Sequence, residues 1–90
     1  MPAGPGVKEQ TAGVLKILEE TLEKYGSDKE HILFAQVFLK DVIRDFDAMN
    51  EVWESWVVPG SEPARATVQA KMAKEEAMVE IIMTAVRKDV

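Results

Sequence analysis

The sequence predicts an α+β fold in a single domain, with the order helix, strand, helix, strand, strand. Two segments repeat apolar residues at steps of three and four, which is the period of one helix face. The remaining elements are a short, mainly apolar run, a segment that alternates apolar and polar residues, and a second apolar run, all typical of strands. At 90 residues, the chain is near the lower limit for a hydrophobic core that is stable by itself.

The first helix is predicted from Val7 to Tyr25. Its apolar face is formed by residues at helical spacing, namely Thr11, Val14, Leu15, Leu18, Leu22 and Tyr25. Gly26 follows this helix, at a point where glycine commonly ends a helix in the left-handed conformation. Residues 1–6 are rich in proline and glycine, so we expect a flexible lead-in there and a single domain over residues 7–90.

The segment from His31 to Leu39 is short and almost uniformly apolar, which favours a strand that is covered on both faces. A second helix is predicted from Ile43 to Val57. One of its faces carries apolar residues and one amide, the set being Phe46, Met49, Asn50, Trp53, Trp56 and Val57. Pro59-Gly60 ends this helix, and its tryptophans are expected to pack in the core or at an interface.

Two further strands are predicted, at residues 64–72 and 78–86. The first alternates apolar and polar residues, whereas the second is mainly apolar on both faces and should be internal or covered by a partner. A strand–helix–strand connection of this length favours parallel pairing of the strands that it joins. Helices on one face leave the other face bare, and we expect that bare face to carry Thr67 and Gln69 and to contact another subunit.

Composition argues against several classes of function. The net charge of −5 disfavours a nucleic-acid partner, and the absence of cysteine removes disulfides and thiolate metal sites. The single histidine, His31, argues against a zinc site and is interpreted as structural. No apolar run is long enough to span a membrane, and the first residues lack the features of a signal peptide, which favours a soluble cytoplasmic protein. Oligomerisation is the remaining way to stabilise so small a domain.

Several segments of the sequence resemble one known family. They are the stretch Phe46–Trp53, the segment Pro63–Ala70, the residues Val79-Glu-Ile81 before Ala85-Val86-Arg87, and the helical pieces Glu9-Gln-Thr-Ala and Lys24-Tyr-Gly-Ser27. Their order and distances resemble the RidA/YjgF family over residues 8–88. The resemblance implies a chorismate-mutase-like mixed sheet with two helices packed on one face, a homotrimer with sites in the clefts between subunits, and no cofactor.

The activity that the resemblance implies is a hydrolase reaction. Family members deaminate reactive enamine and imine intermediates, notably 2-aminoacrylate, to a keto acid and ammonia. Some relatives were first described as translation initiation inhibitors with endoribonuclease activity. A small carboxylate-bearing imine is therefore the expected substrate.

The resemblance also implies roles for individual residues. Arg65 matches the arginine that holds the substrate carboxylate, which suits the planar fork of a guanidinium. Glu80 matches the glutamate that orients the attacking water. Asn50 matches an asparagine of the second helix, and Thr67 stands where many relatives have a cysteine, so both are candidates for substrate binding.

Each of these residues also has a simpler interpretation. Arg65 could be a surface arginine at a strand end, and Asn50 could hydrogen-bond to backbone. Glu80 could form a structural ion pair with Arg87 or with a lysine of another subunit. These alternatives remain open from the sequence.

The expected site lies between subunits on geometric grounds. Arg65 begins one strand and Glu80 lies near the start of the next, so oppositely directed strands would separate the two side chains by roughly 15 Å at about 3.3 Å per residue. One subunit could not bring both groups to one small substrate, whereas two subunits could.

The family pattern has strands before the first helix, and they carry a Ser-Gly segment and an aromatic residue that line the site. This sequence enters its first helix without them, which predicts an N-terminally shortened fold with an uncovered sheet edge. Either the true product is longer, or this is a shortened variant that assembles differently. The leading function is enamine or imine deamination. The alternative is non-catalytic binding of a small carboxylate metabolite or a protein partner, which the missing segment favours, and a ribonuclease role comes third.

Overall fold

The computed structural model describes residues 6–89. Residues 1–5, which make up most of the expected lead-in, and residue 90 lie outside the described residues. The elements are α1 (Val7–Lys24), a 3₁₀ turn (Lys29–His31), β1 (Ile32–Leu39), α2 (Val42–Trp56), β2 (Ala64–Gln69) and β3 (Val79–Ala85). The predicted α+β class and the order of its elements are confirmed, although β2 ends before the alternating pattern does.

Local interactions explain where the helices begin and end. Asp41 precedes α2, and its Oδ1 accepts a hydrogen bond from the Arg44 backbone N–H at 3.0 Å, which is the usual N-cap interaction. The Oε1 of Gln69 accepts from the Val42 N–H at 2.9 Å, so β2 also holds the first turn of α2. After α1, Gly26 has a φ of 82°, a conformation that glycine adopts without strain.

The three strands form one mixed sheet in the order β2–β1–β3. β1 pairs in parallel with β2 and antiparallel with β3. Because α2 connects β1 to β2, the parallel pairing predicted for this connection is confirmed. β3 lies at an edge of the described sheet, so it is not internal, and the other expectation for this strand, that a partner covers it, stays a prediction. Apolar residues lie on both sides of β3, because one side packs against the helices and the other belongs to the bare face of the sheet.

Both helices pack on one face of the sheet and leave the other bare, as predicted. Directly paired residues point to the same side of a sheet, so the register assigns each residue to a face. Thr67 pairs with Val37 and Gln69 pairs with Leu39, and both partners are fully buried in the core. The expectation that Thr67 and Gln69 lie on the bare face is therefore wrong, because they share the helix-covered face with Arg65.

The hydrophobic core lies between the helices and this covered face. Its buried members are Val7, Leu15, Ala35, Val37, Leu39, Met49, Trp53, Val79 and Ile81. On the bare face, by contrast, Phe34, Val68 and Ile82 are 38%, 45% and 54% exposed. The expectation that β1 is covered on both faces is thus wrong within one chain, because the helices reach only one side of the sheet.

Gln10 ties α1 to the segment that leads into β3. Its side chain is 3% exposed. The Nε2 donates a hydrogen bond to the Glu76 carbonyl oxygen at 3.0 Å, and the Oε1 accepts one from the Met78 N–H at 2.8 Å. Both ends of a buried amide are therefore satisfied by backbone, which is what makes its burial tolerable. This contact fixes the segment before β3 against the first helix.

Candidate functional site

α2 and β2 bring Asn50 and Arg65 together. Arg65 points from the covered face of β2 toward α2, where its Nη1 donates a hydrogen bond to the Asn50 Oδ1 at 2.6 Å. Hydrogen bonds to a charged donor are shorter and stronger than neutral ones. The Asn50 oxygen therefore holds an arginine side chain, which differs from the simpler interpretation that Asn50 bonds to backbone.

Two aromatic rings of α2 also hold the Arg65 side chain. Its guanidinium carbon lies 5.4 Å from the centre of the Trp53 ring and 5.7 Å from the centre of the Phe46 ring, within the range of cation–π attraction. Phe46, Asn50 and Trp53 follow one another at steps of four and three, so one face of α2 supplies all three contacts. From the sequence these rings were expected only to pack, and their contact with Arg65 is a finding of the fold.

Arg65 carries its charge without a carboxylate hydrogen-bond partner among residues 6–89. Burial lowers the pKa of the Arg65 guanidinium, and the nearby Glu54 carboxylate acts in the opposite direction. Arginine nevertheless stays protonated at physiological pH because its usual pKa is so high. Arg65 is thus a partly buried cation with N–H donors to spare, and such a group suits an anionic ligand.

These groups border a cleft of about 460 Å³, a volume in the range of small-molecule sites. Its walls are formed by Asn50, Trp53, Glu54, Val57, Pro59, Glu62 and Arg65. Glu62 lies in the loop after α2, where its Oε1 accepts a hydrogen bond from the Gly60 N–H at 3.1 Å. The cleft combines one cation, two carboxylates and an apolar wall.

Glu80 does not line this cleft. It pairs with Phe38, which pairs on its other side with Val68, so Glu80 lies on the bare face of the sheet. Arg65 pairs with Ala35 on the covered face. The two residues are therefore on opposite faces, and β2 and β3 run in opposite directions, as the expected geometry required. One subunit does not bring Arg65 and Glu80 to one small molecule.

The simpler interpretation in which Glu80 forms an ion pair with Arg87 is wrong. The Arg87 Nη2 lies 2.8 Å from the Asp89 Oδ2 and donates a hydrogen bond to it. In the part of the chain that the structure describes, Arg87 makes its ion pair with Asp89 and not with Glu80. An ion pair between Glu80 and a lysine of another subunit remains an open alternative.

Thr67 also lies outside the cleft. Its hydroxyl oxygen is buried on the covered face of the sheet and has no hydrogen-bond partner within residues 6–89. Thr67 is not among the residues that line the cleft. The structure brings Asn50 and Arg65 together but leaves Thr67 apart from them, and a substrate contact for Thr67 stays a prediction.

The other titratable groups show local, structural contacts. Across residues 6–89, no group of three or more His, Asp or Glu side chains is arranged to hold a metal ion. The His31 Nδ1 lies 2.6 Å from the Asp28 Oδ1, and this hydrogen bond lowers the pKa of Asp28.

No helix in the described chain is long and apolar enough to cross a membrane.

The fold and the cleft together define a class of protein: a small α+β domain with a bare apolar sheet face and a cleft bordered by an arginine that Asn50 and two aromatic rings hold. The family model described as endoribonuclease L-PSP matches residues 2–87. The chain belongs to this family, the RidA/YjgF family, as its motifs suggested.

Relatives and solved structures agree with this assignment. A RutC family protein of Haemophilus influenzae is 46% identical over 77 residues, which are 86% of this chain and 66% of that protein. The RutC family protein YoaB of Escherichia coli is 48% identical over 77 residues, again 86% of this chain and 67% of that protein. The chain thus spans about two thirds of the length of these relatives.

Solved structures extend the similarity to the fold. The crystal structure of a YjgF family member from Neisseria meningitidis matches with a TM-score of 0.95 at 46% identity, over 99% of this chain and 75% of that one. A candidate translation initiation inhibitor from Salmonella typhimurium matches with a TM-score of 0.86 at 45% identity, over 94% of this chain and 76% of that one. The arrangement of two helices on a mixed sheet is therefore the one found in solved family members.

Proposed function

We propose that this protein hydrolyses reactive enamine and imine intermediates of the 2-aminoacrylate kind to keto acids and ammonia, at sites between the subunits of a homotrimer. The observation that carries the proposal is the Arg65 guanidinium, which Asn50, Phe46 and Trp53 hold at a small cleft. Family membership supports the same activity, since Arg65 and Glu80 stand where the resemblance implies an anchor and a water-positioning group.

Arg65 is the anchor for the substrate carboxylate. A guanidinium presents several N–H donors in one plane, and Asn50 takes up only Nη1. The remaining donors match the two oxygens of a carboxylate in a bidentate pair. Because the amide and the two rings already restrict the arginine, little side-chain freedom is lost when the ligand binds.

Imine hydrolysis needs a positioned water and two proton transfers. An enamine such as 2-aminoacrylate first becomes the imine when a proton moves from its nitrogen to its terminal carbon. The water oxygen then attacks the imine carbon and forms a carbinolamine. The carbon–nitrogen bond then breaks as the carbonyl forms, and the nitrogen leaves as ammonia. A carboxylate assists by accepting a proton from the attacking water and returning it to the departing nitrogen. We assign this role to Glu80, contributed by a neighbouring copy because Glu80 and Arg65 of one chain lie on opposite faces.

The bare face of the sheet supports assembly. Phe34, Val68 and Ile82 are substantially exposed there, and Glu80 lies on the same face. Large apolar side chains grouped on one surface of a small domain favour burial against another surface. Three copies arranged around one axis would bury this face in each copy and bring Glu80 to the boundary between subunits.

Binding without catalysis is the second candidate function. It is favoured by the composition of the cleft, in which one chain supplies the anchor but not Glu80. A protein that binds a small carboxylate metabolite needs only the anchor. A ribonuclease role, suggested by the name of the family model, has less support, because Glu54 and Glu62 would repel an RNA phosphate in the same cleft.

The first measurement is the solution mass by light scattering across a dilution series. A mass of three subunits that persists on dilution is expected. A protein that stays monomeric at every concentration would refute sites shared between subunits.

The second experiment mixes two inactive variants. Arg65→Ala and Glu80→Gln should each abolish hydrolysis of an enzymatically generated imine, whereas the control Arg87→Ala, an exposed arginine paired with Asp89, should stay active. If the two variants are unfolded and refolded together, random assembly restores intact sites and roughly a quarter of the wild-type activity. If the mixture recovers no hydrolytic activity, the shared site is contradicted. An active Glu80→Gln variant would favour binding without catalysis.

A further inference from the structure

The Arg65 cleft holds more negative charge than its single cation balances. Glu54 on α2 and Glu62 in the following loop both line it. The Glu62 carboxylate is held by the Gly60 N–H, and the Arg65 side chain donates to Asn50 instead of to either glutamate in the described chain. A ligand bound to Arg65 therefore meets two carboxylates in the same small volume.

We infer that Glu54 and Glu62 make this cleft selective for ligands with one carboxylate and a neutral or basic side chain, and that they reject ligands with a second carboxylate. This inference rests on the proposed function in one respect, since it takes Arg65 as the anchor of the substrate carboxylate. It goes further by naming the substrate class and the residues that determine it.

Charge balance gives the direction of the effect. Arg65 neutralises the first carboxylate of a ligand. A second carboxylate would have to lie in the same cleft of about 460 Å³, close to Glu54 and Glu62. Each like-charge pair a few ångströms apart weakens binding by roughly threefold to fivefold when water screens the interaction. The same two glutamates attract a basic side chain.

The cleft also lacks a second cation among its walls in the described residues. Three lysines, Lys40, Lys71 and Lys74, gather instead in another cleft beyond the carboxyl end of β2. Arg65 lies near the opposite end of that strand. The rest of the Arg65 cleft is the apolar surface of Trp53, Val57 and Pro59, and such a surface suits an alkyl chain rather than a charged group.

The test compares two keto acids of equal chain length by titration calorimetry on the assembled protein. 2-Oxopentanoate carries one carboxylate and 2-oxoglutarate carries two. We expect the wild type to bind 2-oxopentanoate roughly tenfold more tightly than 2-oxoglutarate. In the double variant Glu54→Gln, Glu62→Gln, the ratio of these two affinities should fall to about twofold. Glu51→Gln is the matched control, because Glu51 lies on α2 but pairs with Lys8 outside the cleft, so its ratio should equal that of the wild type.

The outcomes separate this inference from the proposed function. Equal affinity for the two keto acids, or a ratio that the double variant does not change, would overturn the selectivity. Binding of neither keto acid would overturn both the selectivity and the role of Arg65 as anchor. Selective binding without imine hydrolysis would support the selectivity while refuting the deaminase activity.

Discussion

Replacing Thr67 with valine is expected to stabilise the protein, although it removes a polar group close to the candidate site. The Thr67 hydroxyl oxygen is buried without a hydrogen-bond partner in the described chain. Leaving such a group unpaired costs about 1–3 kcal/mol. Valine has nearly the same shape and is equally suited to a strand, so the substitution should raise the free energy of unfolding by about 1 kcal/mol. In a domain of this size, that corresponds to a rise of roughly 4–8 °C in Tm.

Thr11→Val is the matched control. Thr11 is 0% exposed, and its hydroxyl donates a hydrogen bond to the Val7 carbonyl oxygen at 2.7 Å. The same substitution there removes a formed hydrogen bond and should lower the free energy of unfolding by about 1 kcal/mol. The two variants therefore differ in the sign of their effect, although both replace a buried threonine hydroxyl with a methyl group.

Urea unfolding followed by circular dichroism measures both variants. The protein concentration must be the same throughout, because assembly contributes to the apparent stability. If Thr67→Val destabilises the protein as much as Thr11→Val does, then the Thr67 hydroxyl has a partner and the reasoning from its burial is wrong. Keto-acid binding by Thr67→Val tests the substrate contact predicted for Thr67, and an affinity equal to that of the wild type would show that this hydroxyl, outside the Arg65 cleft, does not contact the ligand.

Three further predictions follow from single contacts. Asn50→Ala should weaken 2-oxopentanoate binding roughly tenfold in calorimetry, because a hydrogen bond to a charged group contributes about 1.5–3 kcal/mol; unchanged affinity would show that the guanidinium needs no positioning. The His31 hydrogen bond lowers the pKa of Asp28, so its stabilisation is present at neutral pH and lost as the pH falls through the folded-state pKa. Asp28→Asn should therefore lower Tm at pH 7 but not in strong acid. An equal decrease in Tm at both pH values would contradict this prediction. Met49→Ala, at a 0% exposed position, should cost about 2–5 kcal/mol of unfolding free energy, whereas Ile43→Ala, 91% exposed on the same helix, should change it by less than about 0.5 kcal/mol.

The elements could be predicted from the sequence because each has a clear period. The orientation of β2 could not be predicted, because its alternation separates an apolar set of residues from a polar set without indicating which set packs against the helices. Hydrophobicity suggested that the polar set of β2 would face outward. In the fold, Gln69 instead caps α2 and Arg65 reaches Asn50, so two polar side chains gain partners on the covered face and the small residues of β2 are left outside.

The candidate site could be predicted only in part. The resemblance drew attention to Arg65 and Asn50, and their contact is found in the fold. The role of Phe46 and Trp53 could not be read from the sequence, since cation–π contact depends on which face of β2 meets α2. Glu80 and Arg65 lie on opposite faces of the sheet, so the proposed site that joins them concerns two copies, and the spacing of residues within one chain does not predict how two copies would meet.

Gln10 has a consequence for how the domain opens. Its side chain joins α1 to the backbone of Glu76 and Met78, positions 66 and 68 residues further along the chain. The Met78 amide proton should therefore exchange with deuterium only when the first helix separates from the segment before β3. Its exchange rate would report whether the first helix and the segment before β3 unfold together.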